Sequence, residues 1–79
     1  MRSPPDMPED LDLPDLDFND ADWGILHQLC EYHADVPANL AERLDYDRTY
    51  IHHRLKRLTE HNILENRGNG VYQINEDLY

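Results

Sequence analysis

The sequence predicts one small domain that is mainly α-helical and ends in a short β-hairpin. Apolar residues recur at helical spacing in three segments between residues 19 and 61. After residue 62 the apolar residues alternate on either side of the turn sequence Gly68-Asn-Gly70. The chain has 79 residues, about half of a typical single domain, so one domain is expected.

Residues 1–18 are predicted to form a flexible, acidic segment before a folded domain over residues 19–75. This segment contains four of the five prolines, and proline opposes both helices and central strands. Its later part, residues 11–18, interleaves apolar residues with aspartate. Two interpretations stay open for that part: a solvated leader, or a docking segment that folds against its own domain or a partner.

The first helix is predicted to begin at Asn19 or Asp20, either of which can cap it, and to end near His33. Its apolar residues form two stripes. The first stripe contains Trp23, Leu26, Leu29, Cys30 and His33, and the second contains Ile25 and Tyr32. We therefore expect two covered sides. Gly24 is expected to weaken this helix by about 1 kcal/mol relative to alanine.

A turn is predicted at residues 34–37, followed by a second helix over residues 37–44. Pro37 suits the first position of that helix, where no N–H group is needed. Leu40, Ala41 and Leu44 are expected to face the core.

Asp47 is the natural N-cap of a third helix, predicted over residues 48–61. Within it, Ile51, Leu55 and Leu58 form a single buried stripe. Asn62 can adopt the left-handed conformation that ends a helix.

The hairpin is predicted from a strand over residues 63–67, the Gly68-Asn-Gly70 turn and a return strand over residues 71–74. Asn-Gly accepts the positive φ angles that tight hairpin turns require. Residues 76–79 are predicted to be a short tail.

The charge is unevenly distributed along the chain, whose formal net charge is −10. Residues 1–22 contain eight acids and one arginine, a net charge of −7. Residues 48–75 contain five bases and two acids, a net charge of +3. Such asymmetry can mark an interaction surface.

Several classes of function are disfavoured. One cysteine cannot form a disulfide framework, and no apolar run approaches the roughly 20 residues of a membrane span. The start of the chain does not resemble a secretory signal, so a cytoplasmic location is expected. His52, His53 and His61 do not form the H-E-x-x-H pattern, and Asp15 with Asp17 lacks the glycine and glutamate of a calcium loop. We expect no metal, no cofactor and no enzymatic activity.

The order of helices and hairpin is typical of a helix-turn-helix with a β-wing. Four segments, residues 22–29, 36–44, 47–58 and 62–72, resemble winged-helix transcriptional regulators. The similarity is greatest to the small MarR-like domains of halophilic archaea, including those similar to the phi-H phage repressor. It covers about residues 20–75 and departs at Asn62, where the family usually has glycine. The resemblance implies a winged helix-turn-helix fold and a DNA-binding transcriptional regulator that acts as a repressor.

The resemblance also offers an explanation for the acidity. Six arginines against one lysine, and 11 aspartates against six glutamates, are typical of proteins from salt-accumulating cells. At about 1 M salt the Debye length is about 3 Å, so the net charge repels DNA only at close range.

A helical projection of the third helix places polar residues opposite its buried stripe. Thr49, Tyr50, His52 and His53 are candidates for base contacts in the major groove. Arg48, Arg54, Lys56 and Arg57 are donors for phosphates or a guanine edge, although Arg54 could instead pair with an acid of helix one or two. Asn39, Arg67 and Asn69 are further candidates, at the second helix and the wing. For all of these residues, plain solvent exposure remains the alternative.

The sequence leaves two alternative functions. The first is a homodimeric regulator of double-stranded DNA, with Ile25, Tyr32, the N-terminal segment and Leu78-Tyr79 as candidate dimer contacts. The second is a winged-helix module that binds protein and not DNA. A further hypothesis joins them: the acidic N-terminal segment could compete with DNA for the basic helix.

Overall fold

The computed structural model describes Leu13 and residues 17–78, which form three helices and a three-stranded antiparallel sheet. The elements are α1 (Asp20–Tyr32), β1 (Ala34–Asp35), α2 (Pro37–Leu44), α3 (Arg48–Glu60), β2 (Leu64–Asn66), β3 (Tyr72–Ile74) and a 3₁₀ turn (Glu76–Leu78). This architecture confirms the mainly helical class and is compatible with a winged helix. The helices begin and end within one residue of the predicted bounds.

Short polar side chains determine where α1 and α3 begin. Asn19 Oδ1 accepts a hydrogen bond from Asp22 N at 2.8 Å, and Asn19 N donates to Asp22 Oδ2 at 3.0 Å. This reciprocal pair is a capping box. Asp47 caps α3 by accepting hydrogen bonds from Thr49 N and Tyr50 N. Both caps satisfy N–H groups that have no partner inside the helix, and both were predicted.

The core lies between one face of each helix and the sheet. Its most deeply buried apolar side chains are Ile25, Leu26, Leu29, Leu40, Ile51, Leu55, Leu58, Ile63 and Leu64. The predicted stripe of α3 is therefore confirmed. On α2, Leu40 and Ala41 are buried as predicted, whereas Leu44 is only partly buried.

The two predicted stripes of α1 are wrong in their membership. Ile25, assigned to the second side, lies in the main core, while His33 and Tyr32 are exposed. Trp23 and Cys30 are only partly buried against the core. The buried face is set by the elements that contact α1, which are α2, α3, β1 and β3. Spacing within one helix cannot specify where those partners dock.

The sheet has one strand more than the predicted hairpin. Its order is β1-β3-β2, and Ala34 and Asp35 of β1 pair with Gln73 and Tyr72 of β3. The turn predicted at residues 34–37 therefore contains a short strand. Two residues are too few to show an alternating pattern, so pairing with the distant β3 was not predictable from local sequence.

The hairpin between β2 and β3 turns through residues with positive φ angles, as predicted. Gly68, Asn69 and Gly70 have φ angles of 96°, 54° and 74°. Asn66 Oδ1 accepts a hydrogen bond from Gly68 N at 2.9 Å, which holds the start of the turn. Asn62, at the end of α3, has the predicted left-handed conformation, with φ of 63°.

Two apolar residues that precede α1 contact the domain. Phe18 is 9% exposed and its ring centroid lies 5.0 Å from that of Trp23. Leu13 is partly buried against the same core. At these two positions the docking interpretation of residues 11–18 agrees with the structure. The other predictions for the N-terminal segment lie outside the described residues, as does Tyr79.

In the described part of the chain, no helix has the length and apolarity needed to cross a bilayer.

Candidate nucleic-acid interface

The outer face of α3 carries polar and basic side chains because the apolar stripe occupies only one side of the helix. All the predicted contact residues of this helix except Arg54 are exposed: Arg48, Thr49, Tyr50, His52, His53, Lys56 and Arg57. By helical geometry, Thr49, His53 and Lys56 lie opposite the buried stripe of Ile51, Leu55 and Leu58. Tyr50, His52 and Arg57 flank them, and Arg48 lies nearer the edge of that stripe. The predicted exposure of this face is therefore confirmed, while its contact with DNA stays a prediction.

The structure brings one subset of these residues together in a pocket. Arg48 and His52 are one helical turn apart, and both line a depression of about 220 Å³. The other lining residues are Val36, Pro37 and Ala38 at the start of α2, and Asn69 and Gly70 in the hairpin turn. The beginning of α2, the first half of α3 and the hairpin turn are thus neighbours on one surface. We name this depression the α2–α3–hairpin pocket.

Tyr50 points to a different neighbour. Its hydroxyl accepts a hydrogen bond from Asn19 Nδ2 at 2.9 Å, and its ring lies 5.6 Å from that of Tyr46. These contacts direct Tyr50 toward the start of α1, away from Arg48 and His52. The structure therefore does not group Tyr50 with the residues of the pocket.

Asn39 is exposed, but its side chain is engaged within the domain. Asn39 Nδ2 donates to Asp35 Oδ1 at 2.9 Å, and Asp35 also forms an ion pair with Arg43. The Arg43 guanidinium lies 4.5 Å from the centroid of the Tyr32 ring. This chain of contacts joins β1, α2 and the end of α1, so Asn39 contributes to the local structure whether or not it contacts DNA.

Arg67 and Asn69 both belong to the hairpin, but their side chains have different surroundings. Asn69 is at the tip and lines the pocket. Arg67 Nη1 donates to Gln73 Oε1 at 2.9 Å, and Gln73 Nε2 donates to Glu65 Oε2 at 3.0 Å. This cross-strand chain holds the exposed Arg67 guanidinium beside β3.

Arg54 leaves the exposed face and pairs with Asp22, the alternative that the sequence allowed. Arg54 Nε donates to Asp22 Oδ1 at 2.8 Å, and a second bond joins Arg54 Nη2 to Asp22 Oδ2. The Asp22 side chain is 1% exposed and that of Arg54 is 19% exposed. These hydrogen bonds raise the pKa of Arg54 above the usual arginine value, against the opposing effect of burial. The pair fixes α3 against the start of α1.

Sequence reasoning identified the exposed residues but missed the pocket. The backbone N–H groups around Ala38 and Asn39 were expected to suit a phosphate, but nothing in the sequence placed Val36 and Ala38 beside α3 and the hairpin turn. The spacing of Arg48 and His52 at i and i+4 was the one indication that they share a face. Among the described residues, no three His, Cys, Asp or Glu side chains are grouped so as to hold a metal ion.

The arrangement presents hydrogen-bond donors and positive charge on the exposed face of α3, beside the hairpin turn. Arginine and lysine suit phosphate oxygens, and threonine and histidine can contact base edges. No family model matches this chain, and comparison with curated proteins and with solved structures finds no match either.

Proposed function

We propose that this chain is a DNA-binding transcriptional regulator of the winged helix-turn-helix type. In this proposal α3 enters the major groove and the β2–β3 hairpin contacts the flanking DNA. The observation that carries the proposal is the joint surface of α3, the start of α2 and the hairpin turn around one pocket. A major groove about 12 Å wide accepts one helix, and the adjacent hairpin is then placed over the neighbouring backbone.

The local charge supports this assignment despite the net charge of −10. Residues 48–75 contain Arg48, Arg54, Lys56, Arg57 and Arg67 against two glutamates, a net charge of +3. Because Asp22 neutralises Arg54, the other charged residues of this segment carry a net charge of about +2. Adaptation to high salt is part of the proposal, since salt screens the acidic remainder of the molecule.

The residues of the surface have distinct roles in the proposal. Lys56 and Arg57 contact phosphates from α3, and Arg67 contacts the backbone from the hairpin. Thr49 and His53, which project from the middle of the exposed face, contact base edges.

A homodimer completes the proposal, since one such domain reads only a few base pairs. Of the predicted dimer contacts, Ile25 is wrong because it is fully buried in the core. Leu78 is partly buried against the core of its own domain, so less of its side chain is exposed for contact with a second copy. Tyr32 is 50% exposed and remains a candidate. Repression, which the resemblance implies, and a cytoplasmic location belong to the same proposal.

The experiment measures binding to a short random-sequence duplex by fluorescence anisotropy at several KCl concentrations. R57Q and R67Q are each expected to weaken binding several-fold and to lower the slope of log affinity against log salt by about one. R43Q is the matched control, because it removes the same charge from a side chain held at Asp35 and Tyr32.

Equal losses for R43Q, R57Q and R67Q would mean that only net charge matters and would contradict the proposed surface. Failure of the folded protein to bind any duplex would favour the alternative function, a winged-helix module that binds a protein partner.

A further inference from the structure

The α2–α3–hairpin pocket has the size for a small anion with solvent. Its volume of about 220 Å³ is far above the roughly 15 Å³ that holds one water molecule. The residues that line it from the start of α2 are Val36, Pro37 and Ala38, which are apolar. The polar groups that approach it come from α3 and from the hairpin turn, so a ligand seated there would bridge the two.

The side chains of the pocket select for negative charge. Arg48 offers a planar set of N–H donors that matches phosphate oxygens, and His52 offers a donor one helical turn away. None of the described residues that line the pocket is a carboxylate. A phosphate group can therefore accept from both side chains without facing a like charge.

We propose that this pocket seats one phosphate group, held by Arg48 and by His52 in its protonated form, so that binding takes up a proton. The inference rests on the proposed function, in which the phosphate belongs to the DNA backbone. A free phosphate has the same chemistry, and the experiment below separates the two sources.

The charged groups around His52 determine which ligands it can bind. The titratable side chains nearest to it along α3 are its neighbour His53 and, one turn away on either side, Arg48 and Lys56, which are both positive. The residues that α2 and the hairpin turn bring to the pocket have no titratable side chains. A bound phosphate would thus be the negative group in the pocket, and histidine as a residue type changes charge between pH 5 and pH 8.

The first measurement is duplex affinity at pH 6 and pH 8, at constant KCl. Because a charge-assisted hydrogen bond is roughly twice as strong as a neutral one, binding is expected to be about fivefold tighter at pH 6. H52Q keeps a donor of similar size but cannot titrate, so its affinity should change little with pH. H61Q is the matched control: it removes another exposed histidine, at the far end of α3, and should keep the pH dependence.

The second measurement follows the His52 ring by NMR at pH 7 while inorganic phosphate, and separately the duplex, is added. Movement of the ring signals toward the protonated form with the duplex supports a backbone phosphate in the pocket. Movement with inorganic phosphate, lost in R48Q, supports the pocket as a phosphate site even if no duplex binds.

The two proposals therefore fail separately. If the duplex binds equally at both pH values, or if H52Q keeps the full pH dependence, the proposed phosphate site is wrong while the proposed function stands. If no duplex binds and inorganic phosphate leaves the His52 signals unchanged, both are overturned.

Discussion

The ion pair between Asp22 and Arg54 is expected to be a principal determinant of stability, because it is buried and joins two helices. Asp22 accepts three hydrogen bonds, one from the Asn19 backbone N–H and two from Arg54. Its side chain is 1% exposed, so removal of Arg54 leaves a carboxylate with little access to water. Breaking a buried pair in this way costs about 3–5 kcal/mol.

The expected loss of stability for each variant depends on which member of the Asp22–Arg54 ion pair remains without its partner. R54M leaves the Asp22 carboxylate bound mainly to the helix N-terminus, and we expect a loss of about 3 kcal/mol. D22N leaves the guanidinium facing an amide, and since Arg54 is 19% exposed it can recover some hydration. The expected loss there is about 2–3 kcal/mol. The double variant D22N/R54M should lose no more than R54M alone, which gives a coupling energy of about 2–3 kcal/mol.

Urea unfolding, followed by the fluorescence of Trp23 and independently by far-ultraviolet circular dichroism, measures these free energies. A domain of this size has about 5 kcal/mol of stability, so the titrations are run in a KCl concentration at which all variants remain folded. D77N, in the exposed 3₁₀ turn, is the control and should change stability by less than about 0.5 kcal/mol. Additive effects of the two single substitutions would refute the assigned role of the pair.

Three further predictions address other contacts of the domain. A Cβ at Gly24 would lie 3.0 Å from Leu44 Cδ2, so alanine at this position crowds Leu44. In the L44A variant that contact is absent, and G24A should stabilise it by about 1 kcal/mol in urea unfolding. In the wild type, G24A should stabilise by clearly less. Equal gains would show that the contact is irrelevant. Y50F removes the acceptor of the Asn19 amide at an exposed site, so thermal unfolding should show a loss of at most about 1 kcal/mol; a larger loss would mean that this bond is essential. T49A should change the sequence preference of bound DNA in a selection experiment, and a uniform loss on all sequences would contradict a base contact.

The features that the sequence predicts well depend on neighbouring residues. Asn19 and Asp47 cap their helices because a short polar side chain reaches the N–H groups of the next turn. The hairpin turn follows from glycine and asparagine, which accept positive φ angles. The stripe of α3 is predictable because only one of its sides is apolar.

The features that the sequence did not predict depend on contacts between distant residues. β1 forms only because Ala34 and Asp35 meet β3, nearly 40 residues later. Ile25 joins the core because of where the other helices dock on α1. Tyr50 has the spacing of an exposed contact residue, yet its hydroxyl is bound by Asn19.

The candidate site also combines features that neighbouring residues predict with features that depend on distant residues. Exposure of Arg57 and Lys56 follows from helical periodicity, whereas the pocket requires three separated segments to meet. A single sequence indicates which residues share a face of one helix. It does not indicate that a hairpin turn lies beside that face.

The central claim is that the surface of α3 and the hairpin binds DNA with sequence preference. The most direct measurement is selection from pooled random duplexes over a series of KCl concentrations, followed by sequencing of the retained DNA. We predict an enriched motif that persists at high salt, with half-sites about one helical turn apart if the protein is a dimer. If the folded protein retains no duplex at any KCl concentration, the claim is contradicted.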